Sequence, residues 1–333
     1  MNGKIRVIVA LSGGIDSSVS ALLLKSLSLP LDIRAVFMHN WDEILDDGNT
    51  RRCPTASRDY HDALQTANSL NIPISTVDFT KEYWTRVFEP MVHSLDAGNT
   101  PNPDVGCNRY IKFGALTDLL LKKSCSSEAA TRNLIMERIN DLTKDCETNF
   151  LERLKSRIAN EKLLVSKNPV PLSSIIGNAD FVVTGHYARI GTDYNNKPTL
   201  MRAFDTKKDQ SYFLSNVSRN VLRNAIFPLG SLPKSRVKQI AQDSGLLSHL
   251  SKKRESMGIC FVEPSKRFGD FMGEYLEDRP GKFVSLDDGV VKGKHTGFFK
   301  YTIGQCARIS GESEKWFVAA KDSQTSNIFV VPG

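Results

Sequence analysis

Two apolar runs near the start of the chain are joined by a short segment that contains two adjacent glycines. Residues 5–11 predict a buried β-strand, and residues 17–29 predict a helix. The segment that joins them is Ser12-Gly13-Gly14-Ile15-Asp16-Ser17-Ser18. A strand that enters a helix through a tight glycine turn brings backbone N–H groups and the positive end of the helix dipole together. The segment therefore predicts a site for an anion such as phosphate.

Asp16 is the unusual member of this segment, because a carboxylate beside a phosphate is repelled unless a cation bridges the two. We therefore predict that Asp16 binds Mg²⁺. The segment lacks the lysine of a Walker loop. It resembles instead the SGGxDS loop of enzymes that cleave ATP between the α and β phosphates and adenylate a substrate. The alternative is a glycine-rich turn that binds nothing.

The composition is that of a soluble globular protein with two or three domains, since 40% of the 333 residues are hydrophobic and 24% are charged. No apolar run approaches the roughly 18 residues that span a bilayer, so we expect no membrane partner. The first strand is predicted to start by Ile5, so we expect no signal or transit peptide before it. A net charge of +7 favours a polyanionic partner, with a solvated basic surface as the alternative.

Strands and helices alternate over the first part of the chain. Strands are predicted at 5–11, 34–38, 74–79 and 181–184, and helices at 17–29, 57–70, 81–94 and 111–123. This alternation predicts an α/β fold with a doubly wound parallel sheet, and ligands bind at the carboxyl ends of such strands. Met38 and Gly185 stand at the ends of two of these strands, so we expect them at the same edge as Ser12.

We predict three domains: a catalytic domain at 1–204, a small helical domain at 205–280 and a C-terminal β module at 281–333. Residues 124–178 interrupt the first domain with apolar residues at helical spacing. We interpret them as one long helix or a helical hairpin that packs on its own surface, and an RNA or partner contact is the alternative. Further helices are expected at 235–244 and 268–276, and short strands at 282–286, 297–303, 316–320 and 328–331.

Six cysteines show neither a C-x-x-C pair nor metal-ligand spacing, so we expect a reducing compartment without structural disulfides. Cys107 follows Asp104 in a segment with two prolines and a glycine, which predicts a rigid loop that presents a thiol and a carboxylate. Cys260 follows the cations of residues 252–254, which favour the thiolate. An inert buried cysteine is the alternative at both positions.

Residues 207–213 combine two lysines, hydrogen-bonding side chains and two aromatic rings. Such a turn can contact phosphate and stack a nucleobase. A solvated turn that leads into a helix would have a similar composition.

The order of these motifs is similar to that of the tRNA-specific 2-thiouridylases, the MnmA/TrmU family. The matching motifs are SGGIDSS (12–18), FMHNW (37–41), NTPNPDVGCN (99–108), TGHYAR (184–189), KDQSYFLS (208–215) and GICF (258–261). The resemblance covers nearly the whole chain outside 124–178. Residues 88–90 and 104–107 are closer to fungal mitochondrial members, so we expect a mitochondrial location, with the cytoplasm as the alternative.

The resemblance implies a role for each matched residue. ATP is held by Ala10, Leu11, Ser12, Gly13, Gly14, Ile15, Asp16, Ser17, Met38 and Gly185. The target base is met by Asn102, Pro103 and Asp104, and the tRNA by Lys208, Asp209 and Gln210. Catalysis falls to Asp104, Cys107 and Cys260.

The resemblance also implies the reaction, in which sulfur replaces O2 of the wobble uridine, position 34, of the tRNAs for Lys, Glu and Gln. ATP adenylates O2, and a persulfide on Cys260, loaded by a cysteine desulfurase relay, supplies the sulfur. Asp104 handles the proton, and Cys107 is the second catalytic cysteine. Two alternatives are another adenylating ligase with the same loop and a tRNA-binding protein that has lost catalysis.

Overall fold

The computed structural model describes residues 4–44, 50–52, 54–122, 128–144, 149–161, 168–195, 197–250, 253, 262 and 267–333. The α-helices in these ranges are α1 Ile15–Ser26, α2 Pro54–Ser69, α3 Thr80–Tyr83, α4 Glu89–Asp96, α5 Pro103–Gly106, α6 Leu116–Leu120, α7 Glu128–Lys144, α8 Asn149–Asn160, α9 Arg219–Leu222, α10 Lys234–Ser244 and α11 Phe268–Met272. Two π-helical stretches are Trp84–Phe88 and Cys107–Ala115. Within the described ranges, no helix is long and apolar enough to cross a membrane.

The strands form two main sheets and two small hairpins. In chain order they are β1 Ile5–Ala10, β2 Leu31–His39, β3 Asp42–Ile44, β4 Thr50–Arg52, β5 Ile74–Asp78, β6 Phe181–Val183, β7 Ala188–Thr192, β8 Pro198–Arg202, β9 Ala225–Ile226, β10 Gly281–Ser285, β11 Val291–His295, β12 Trp316–Asp322 and β13 Asn327–Pro332. The hairpins are β3–β4 and β7–β8. The predicted α/β fold is confirmed.

The first main sheet has the strand order β5-β2-β1-β6-β9, and all of its pairs are parallel. The chain runs from β1 through β2 to β5 on one side and then returns to place β6 and β9 on the other. The direction therefore reverses between β1 and β6, and open parallel sheets bind ligands outside the carboxyl ends of the strands at such a point. The 12–18 segment follows β1 directly, so it lies at this position.

Burial explains why the strand predictions succeeded. Val7, Val9 and Val183 are fully buried, as expected for a parallel sheet that is covered on both faces. Helix α10 ends at Gly245, whose φ of 65° is the left-handed conformation that commonly terminates helices. The predicted helix at 235–244 is thus confirmed.

Two compact units make up the chain. One comprises Met1–Tyr83 and Asp104–Glu255 and contains the parallel sheet, and the other comprises Trp84–Pro103 and Ser256–Gly333. The predicted domain boundaries near 204 and 280 stay a prediction.

The second unit, which comprises Trp84–Pro103 and Ser256–Gly333 and is called the C-terminal unit below, contains a sheet with the order β11-β10-β13-β12. The predicted strand at 297–303 is wrong, because Phe298–Lys300 is a single 3₁₀ turn. Phe298 and Phe299 are both buried, whereas adjacent residues of a strand point to opposite faces. Strand β11 was missed because two lysines and a glycine in its five residues hide the apolar pattern. The predicted helix at 268–276 is shorter than expected, since α11 ends at Met272.

The 124–178 insertion supplies two helices, α7 and α8, and its predicted packing on its own surface is wrong. Ile135, Ile139 and Leu154 belong to the main hydrophobic core of the first unit, together with residues of α1. Glu161, which follows α8, accepts a hydrogen bond at 2.7 Å from Lys25 of α1. The apolar stripes of both helices therefore pack on the sheet domain, and one charged residue of α7, Arg132, is buried as well.

Truncation of Ile139 to alanine should lower the free energy of unfolding by about 2–5 kcal/mol, because this fully buried side chain would leave a cavity in the main core. Urea denaturation of the purified chain measures the difference. The matched control is Leu134→Ala on the same helix, where 38% exposure limits the expected loss to about 0.5 kcal/mol. Equal losses in the two variants would show that α7 is not part of the core.

Candidate functional site

The glycine segment after β1 is held in a tight conformation by close packing and by its own hydroxyl groups. Gly13 has a φ of 72°, and a Cβ atom at this position would lie 2.1 Å from the carbonyl oxygen of Asp59. The hydroxyl of Ser17 accepts a hydrogen bond from the Ser12 N–H and donates to the Gly14 carbonyl, both at 3.1 Å. Ser18 donates to the same carbonyl at 2.9 Å. The serines therefore shape the loop, and the first N–H groups of α1 have no intrahelical partner.

Gly185 contacts this loop from the neighbouring strand. A Cβ atom at Gly185 would lie 2.7 Å from the backbone nitrogen of Ser17 and 2.8 Å from the carbonyl carbon of Asp16. Met38 lies near the end of β2, two residues beyond the pairing of Ala10 with Val36. The ends of β1, β2 and β6 thus bring the predicted nucleotide residues to one edge of the sheet.

Asp16 has a cationic partner that the sequence did not indicate. Lys234 Nζ lies 2.6 Å from Oδ1 and 2.7 Å from Oδ2 of Asp16. The hydroxyl of Tyr187 donates to Oδ1 at 2.8 Å. Lys234 Nζ also lies 5.5 Å from the centroid of the Tyr187 ring. An ammonium and a phenol therefore converge on the carboxylate of the glycine loop.

Both partners of Asp16 are held by the turn at 205–211. The backbone N–H of Lys234 donates to Oδ2 of Asp205 at 3.0 Å. Gln210 exchanges two hydrogen bonds with Tyr187: its side-chain oxygen accepts from the Tyr187 N–H at 3.0 Å, and its own N–H donates to the Tyr187 carbonyl at 2.8 Å. This turn contains the predicted tRNA-contacting residues, and hydrogen bonds connect it to the partners of Asp16.

Lys253 provides a second cation next to the loop. Its ammonium donates to the Gly13 carbonyl at 2.9 Å and to Asp59 at 2.7 Å, and it also pairs with Asp62. Burial alone would lower the pKa of Lys253, but the hydrogen bonds and negative charges of Asp59 and Asp62 raise it above its usual value. Lys253 is thus a charged anchor for the loop.

The donor set around Asp16 fits a magnesium ion that is bound largely by its ligand. The described residues contain no cluster of three or more His, Cys, Asp or Glu side chains that could hold a metal. Mg²⁺ is commonly held by one or two carboxylates together with substrate phosphates and water. Asp16 supplies one carboxylate, and its side chain is 34% exposed.

The 100–108 segment is not the rigid loop that its prolines predicted. Pro103 begins helix α5, and the π-helical stretch that starts at Cys107 continues it. A proline is tolerated in the first turn of a helix, because its missing N–H has no helical partner there. Asp104 and Cys107 are therefore presented on consecutive helical turns.

Burial governs the protonation of this pair. Burial raises the pKa of the Cys107 thiol, the Lys112 ammonium lowers it, and the Asp104 carboxylate raises it. Burial likewise raises the pKa of Asp104, and Lys112 opposes that shift. Burial and the charge of Lys112 together hold the pKa of His186 well below its usual range. Lys112 is thus the cation that influences all three groups and favours the thiolate.

The turn at 207–213 exposes aromatic and cationic groups while it keeps its acidic residue occupied. The Asp209 carboxylate accepts from the Ala203 N–H and from the Ser211 hydroxyl, both at 2.7 Å. Tyr212 in this turn is 63% exposed, and Phe204, which lies shortly before the turn, is 65% exposed. A cavity of about 440 Å³ is lined by Leu200, Arg202, Thr206, Asp209, Ser211, Tyr212 and Ser215.

The remaining predicted site residues are those assigned to the target base, to the persulfide and to the tRNA. Asn102 and Pro103 end the first segment of the C-terminal unit, whereas Asp104 begins a segment of the other unit. Cys260 lies outside the described residues. Lys208 is half-buried.

Sequence reasoning missed three residues of the site: Lys112, Tyr187 and Lys234. Tyr187 was within a motif already noted and Lys112 within a predicted helix, but no local pattern indicated their roles. Lys234 is 218 residues from Asp16 and stands at the start of an ordinary amphipathic helix. Only the packing of α10 beside α1 brings it to the loop.

Comparison with known proteins gives consistent matches over the whole chain. A family model described as the tRNA methyl transferase HUP domain matches residues 5–161 and 172–264, and one described as the tRNA methyl transferase PRC-barrel domain matches 269–332. The tRNA-specific 2-thiouridylase MnmA of Lactococcus lactis subsp. lactis (strain IL1403) is 38% identical, over all of this chain and 74% of the relative. The mitochondrial tRNA-specific 2-thiouridylase 1 of Mus musculus is 37% identical, over all of this chain and 70% of the relative.

Removal of the positive charge of Lys112 and removal of the negative charge of Asp104 should shift the pH dependence of Cys107 alkylation in opposite directions. Lys112→Met removes the positive charge that lowers the pKa, so the alkylation rate at pH 8 should fall. Asp104→Asn removes a negative charge that raises the pKa, so the rate should rise. Iodoacetamide labelling over a pH series, followed by peptide mass spectrometry, measures both rates.

Lys112→Arg is the control, because it keeps the charge and should keep the wild-type profile. Cys306, which is half-buried in the C-terminal unit, serves as a reference peptide in the same digest. A shift of both profiles in the same direction would contradict this electrostatic account.

Proposed function

The chain belongs to the family of tRNA-specific 2-thiouridylases, and from that premise we propose that it replaces O2 of the wobble uridine of tRNA with sulfur at the expense of ATP. The observation that carries the proposal is the glycine loop with Asp16 at the point where the sheet order reverses. This is where an α/β protein binds a nucleotide, and the loop combines helix N–H groups with a carboxylate suited to Mg²⁺.

Activation of the uridine is assigned to this loop. O2 of uracil is a poor leaving group, so it first attacks the α-phosphorus of ATP, and the bond from that phosphorus to pyrophosphate breaks. The N–H groups at the start of α1 are suited to bind the phosphates, and Asp16 would hold Mg²⁺, which offsets phosphate charge when bound. Gly185 packs directly against the backbone of Asp16 and Ser17, where a side chain would clash with the loop. The adenosine pocket is assigned to Met38 and Gly185.

Sulfur transfer is assigned to Cys107 and Cys260. The terminal sulfur of a Cys260 persulfide attacks C2 of the adenylated base, the C2–O bond breaks, and AMP leaves with the former uracil oxygen. The Cys107 thiolate then attacks the Cys260 sulfur, which releases 2-thiouridine and forms a Cys107–Cys260 disulfide. In the other route Cys107 attacks the persulfide first, and the sulfide that is released attacks C2. Both routes oxidise two thiols, so an external thiol must reduce the disulfide.

The raised pKa of Asp104 and the positive charge of Lys112 near Cys107 suit these steps. Burial raises the pKa of Asp104, which brings this carboxyl closer to the pH range in which a general acid or base works best. The Cys107 thiol must lose its proton before attack, and the Lys112 charge favours that loss. The target base must leave the anticodon stack to reach these groups, and Asn102 and Pro103 are assigned to contact it.

The tRNA contact is assigned to the 204–212 turn. Its exposed Phe204 and Tyr212 can stack bases, and Lys207 and Lys208 can contact phosphates. Because the Asp209 and Gln210 side chains are bonded within the protein, we assign them to shaping this turn, whereas Lys208 contacts the RNA.

The finer details follow the family. We propose the tRNAs for Lys, Glu and Gln as substrates, and a cysteine desulfurase relay as the sulfur source. A mitochondrial location is proposed as well, since one matching relative is a mitochondrial enzyme of mouse. Methyl transfer, which the family models carry in their descriptions, is not proposed, because the relatives are 2-thiouridylases and the loop suits ATP.

Nucleoside mass spectrometry of tRNA after incubation with Mg²⁺-ATP and a sulfur donor tests the proposal. The wild-type protein should form 2-thiouridine only when ATP is present. Cys260→Ser should abolish the product when a persulfide-loaded desulfurase is the donor, and Asp104→Asn should lower the rate by about 10²–10⁴-fold.

Cys306→Ser is the matched control, and it should keep the wild-type rate because this cysteine lies outside the assigned site. Free sulfide in place of the desulfurase separates a missing sulfur relay from a missing transfer step. Normal tRNA binding without any thiolated nucleoside under either condition would refute the proposal in favour of a binding protein that has lost catalysis.

A further inference from the structure

The ammonium group of Lys234 contacts the Asp16 carboxylate of the glycine loop, at the position where we expect a nucleotide-bound metal ion. We propose that Lys234 is a phosphate-binding residue of the nucleotide site. In the free protein the Lys234 ammonium neutralises Asp16. When ATP binds, this ammonium turns to the triphosphate, and Asp16 would then be available to hold Mg²⁺. The inference rests on the proposed function, because it takes ATP to be the ligand of the loop.

The burial of the pair supports a purpose beyond stability. The Lys234 side chain is 9% exposed, and its ammonium contacts both oxygens of Asp16. A buried ammonium is unfavourable without an anion, and a buried ion pair often stabilises a protein no better than apolar residues would. Asp16, by contrast, is one-third exposed. A phosphate that approaches the loop therefore meets the carboxylate and the ammonium together.

The anchoring of Lys234 leaves its ammonium able to move. Its backbone is fixed, because Lys234 is the first residue of α10 and its N–H is bonded to Asp205. The four-carbon side chain can change rotamer without any movement of the helix. Asp16 keeps the Tyr187 hydroxyl as a donor when the ammonium leaves. A shift from carboxylate to phosphate thus requires side-chain rotation only.

The charge balance of the site requires such a cation. Mg²⁺-ATP is a net anion, Asp16 adds a negative charge, and residues 12–18 contain no lysine or arginine. The helix dipole of α1 supplies only about half a positive charge. Lys253 is held by Asp59, Asp62 and the Gly13 carbonyl, so its charge is already compensated. Lys234 pairs with Asp16, the residue that would hold Mg²⁺, so binding of the metal there would compensate the carboxylate when the ammonium turns to phosphate.

Calorimetric titration of the RNA-free protein tests the role of Lys234 in binding. The ligands are α,β-methylene-ATP with Mg²⁺ and, separately, adenosine. In Lys234→Gln the amide can still donate to Asp16 but carries no charge. Affinity for the ATP analogue should fall about 10–100-fold, which is typical for loss of a charge-assisted hydrogen bond, while affinity for adenosine stays unchanged. Lys234→Arg should retain most of the affinity.

Lys25→Gln is the matched control, since Lys25 is also a poorly exposed lysine, paired with Glu161 at 2.7 Å, but belongs to the far end of α1. It should bind both ligands like the wild type. Unchanged ATP-analogue affinity in Lys234→Gln would overturn the proposal. An equal loss of affinity for the ATP analogue and for adenosine would also overturn the proposal, because that result indicates a purely structural role for Lys234.

A second variant tests the same idea if Lys234→Gln does not fold. Asp16→Asn frees the ammonium from its carboxylate, so metal-free pyrophosphate should bind several-fold more tightly than to the wild type. No gain in affinity would overturn the proposal. A wild-type protein that binds neither the ATP analogue nor pyrophosphate would contradict the ATP-dependent function itself. If the wild type binds the analogue and the Lys234 variants bind it with the same affinity, only the role of Lys234 is refuted.

Discussion

A loop that binds anions but carries its own carboxylate is electrostatically unfavourable until a cation neutralises it. Three remote segments meet this requirement at the end of β1. Helix α10 brings the Lys234 ammonium to both oxygens of Asp16, the segment after β6 brings the Tyr187 hydroxyl, and the 205–211 turn holds both of these residues through Asp205 and Gln210. The geometry of the proposed nucleotide site thus depends on the same turn that is assigned to contact tRNA. A movement of this turn on RNA binding would shift the two partners of Asp16, because Asp205 is hydrogen-bonded to Lys234 and Gln210 to Tyr187.

The second half of the chemistry has the opposite electrostatic character. Around Cys107, burial favours neutral forms: the pKa values of Cys107 and Asp104 are raised, and that of His186 is lowered. A buried, protonated thiol is protected from adventitious oxidation, because the thiolate is the reactive species. Lys112 is the charge that favours the thiolate. The charged loop to which we assign substrate activation is therefore distinct from the buried surroundings of Cys107, which favour the unreactive thiol.

Local patterns predicted what local interactions determine. The apolar run before Ser12, the glycines and the helix after them located the loop, and the strand alternation placed Gly185 beside it. Lys234 was not predictable, because its partner lies 218 residues away and long-range packing alone joins them. The helix at Asp104 and Cys107 was missed because two prolines suggested a loop, although one of them occupies the start of the helix, where proline is tolerated. The insertion was misjudged because mixed charges do not reveal which face of a helix is buried. Ile139 of α7 joins the main core, and even the charged Arg132 of the same helix is buried.

The central claim is that ATP activates O2 of the uridine by adenylation, and isotope transfer tests it most directly. A tRNA whose wobble uridine carries ¹⁸O at O2 would be incubated with the protein, Mg²⁺-ATP and a sulfur donor, and the AMP and pyrophosphate would be analysed by mass spectrometry. The account predicts that ¹⁸O appears in AMP, in the same amount as 2-thiouridine, and that pyrophosphate stays unlabelled. Formation of 2-thiouridine with unlabelled AMP would contradict it, since ATP would then be cleaved without bonding to the base.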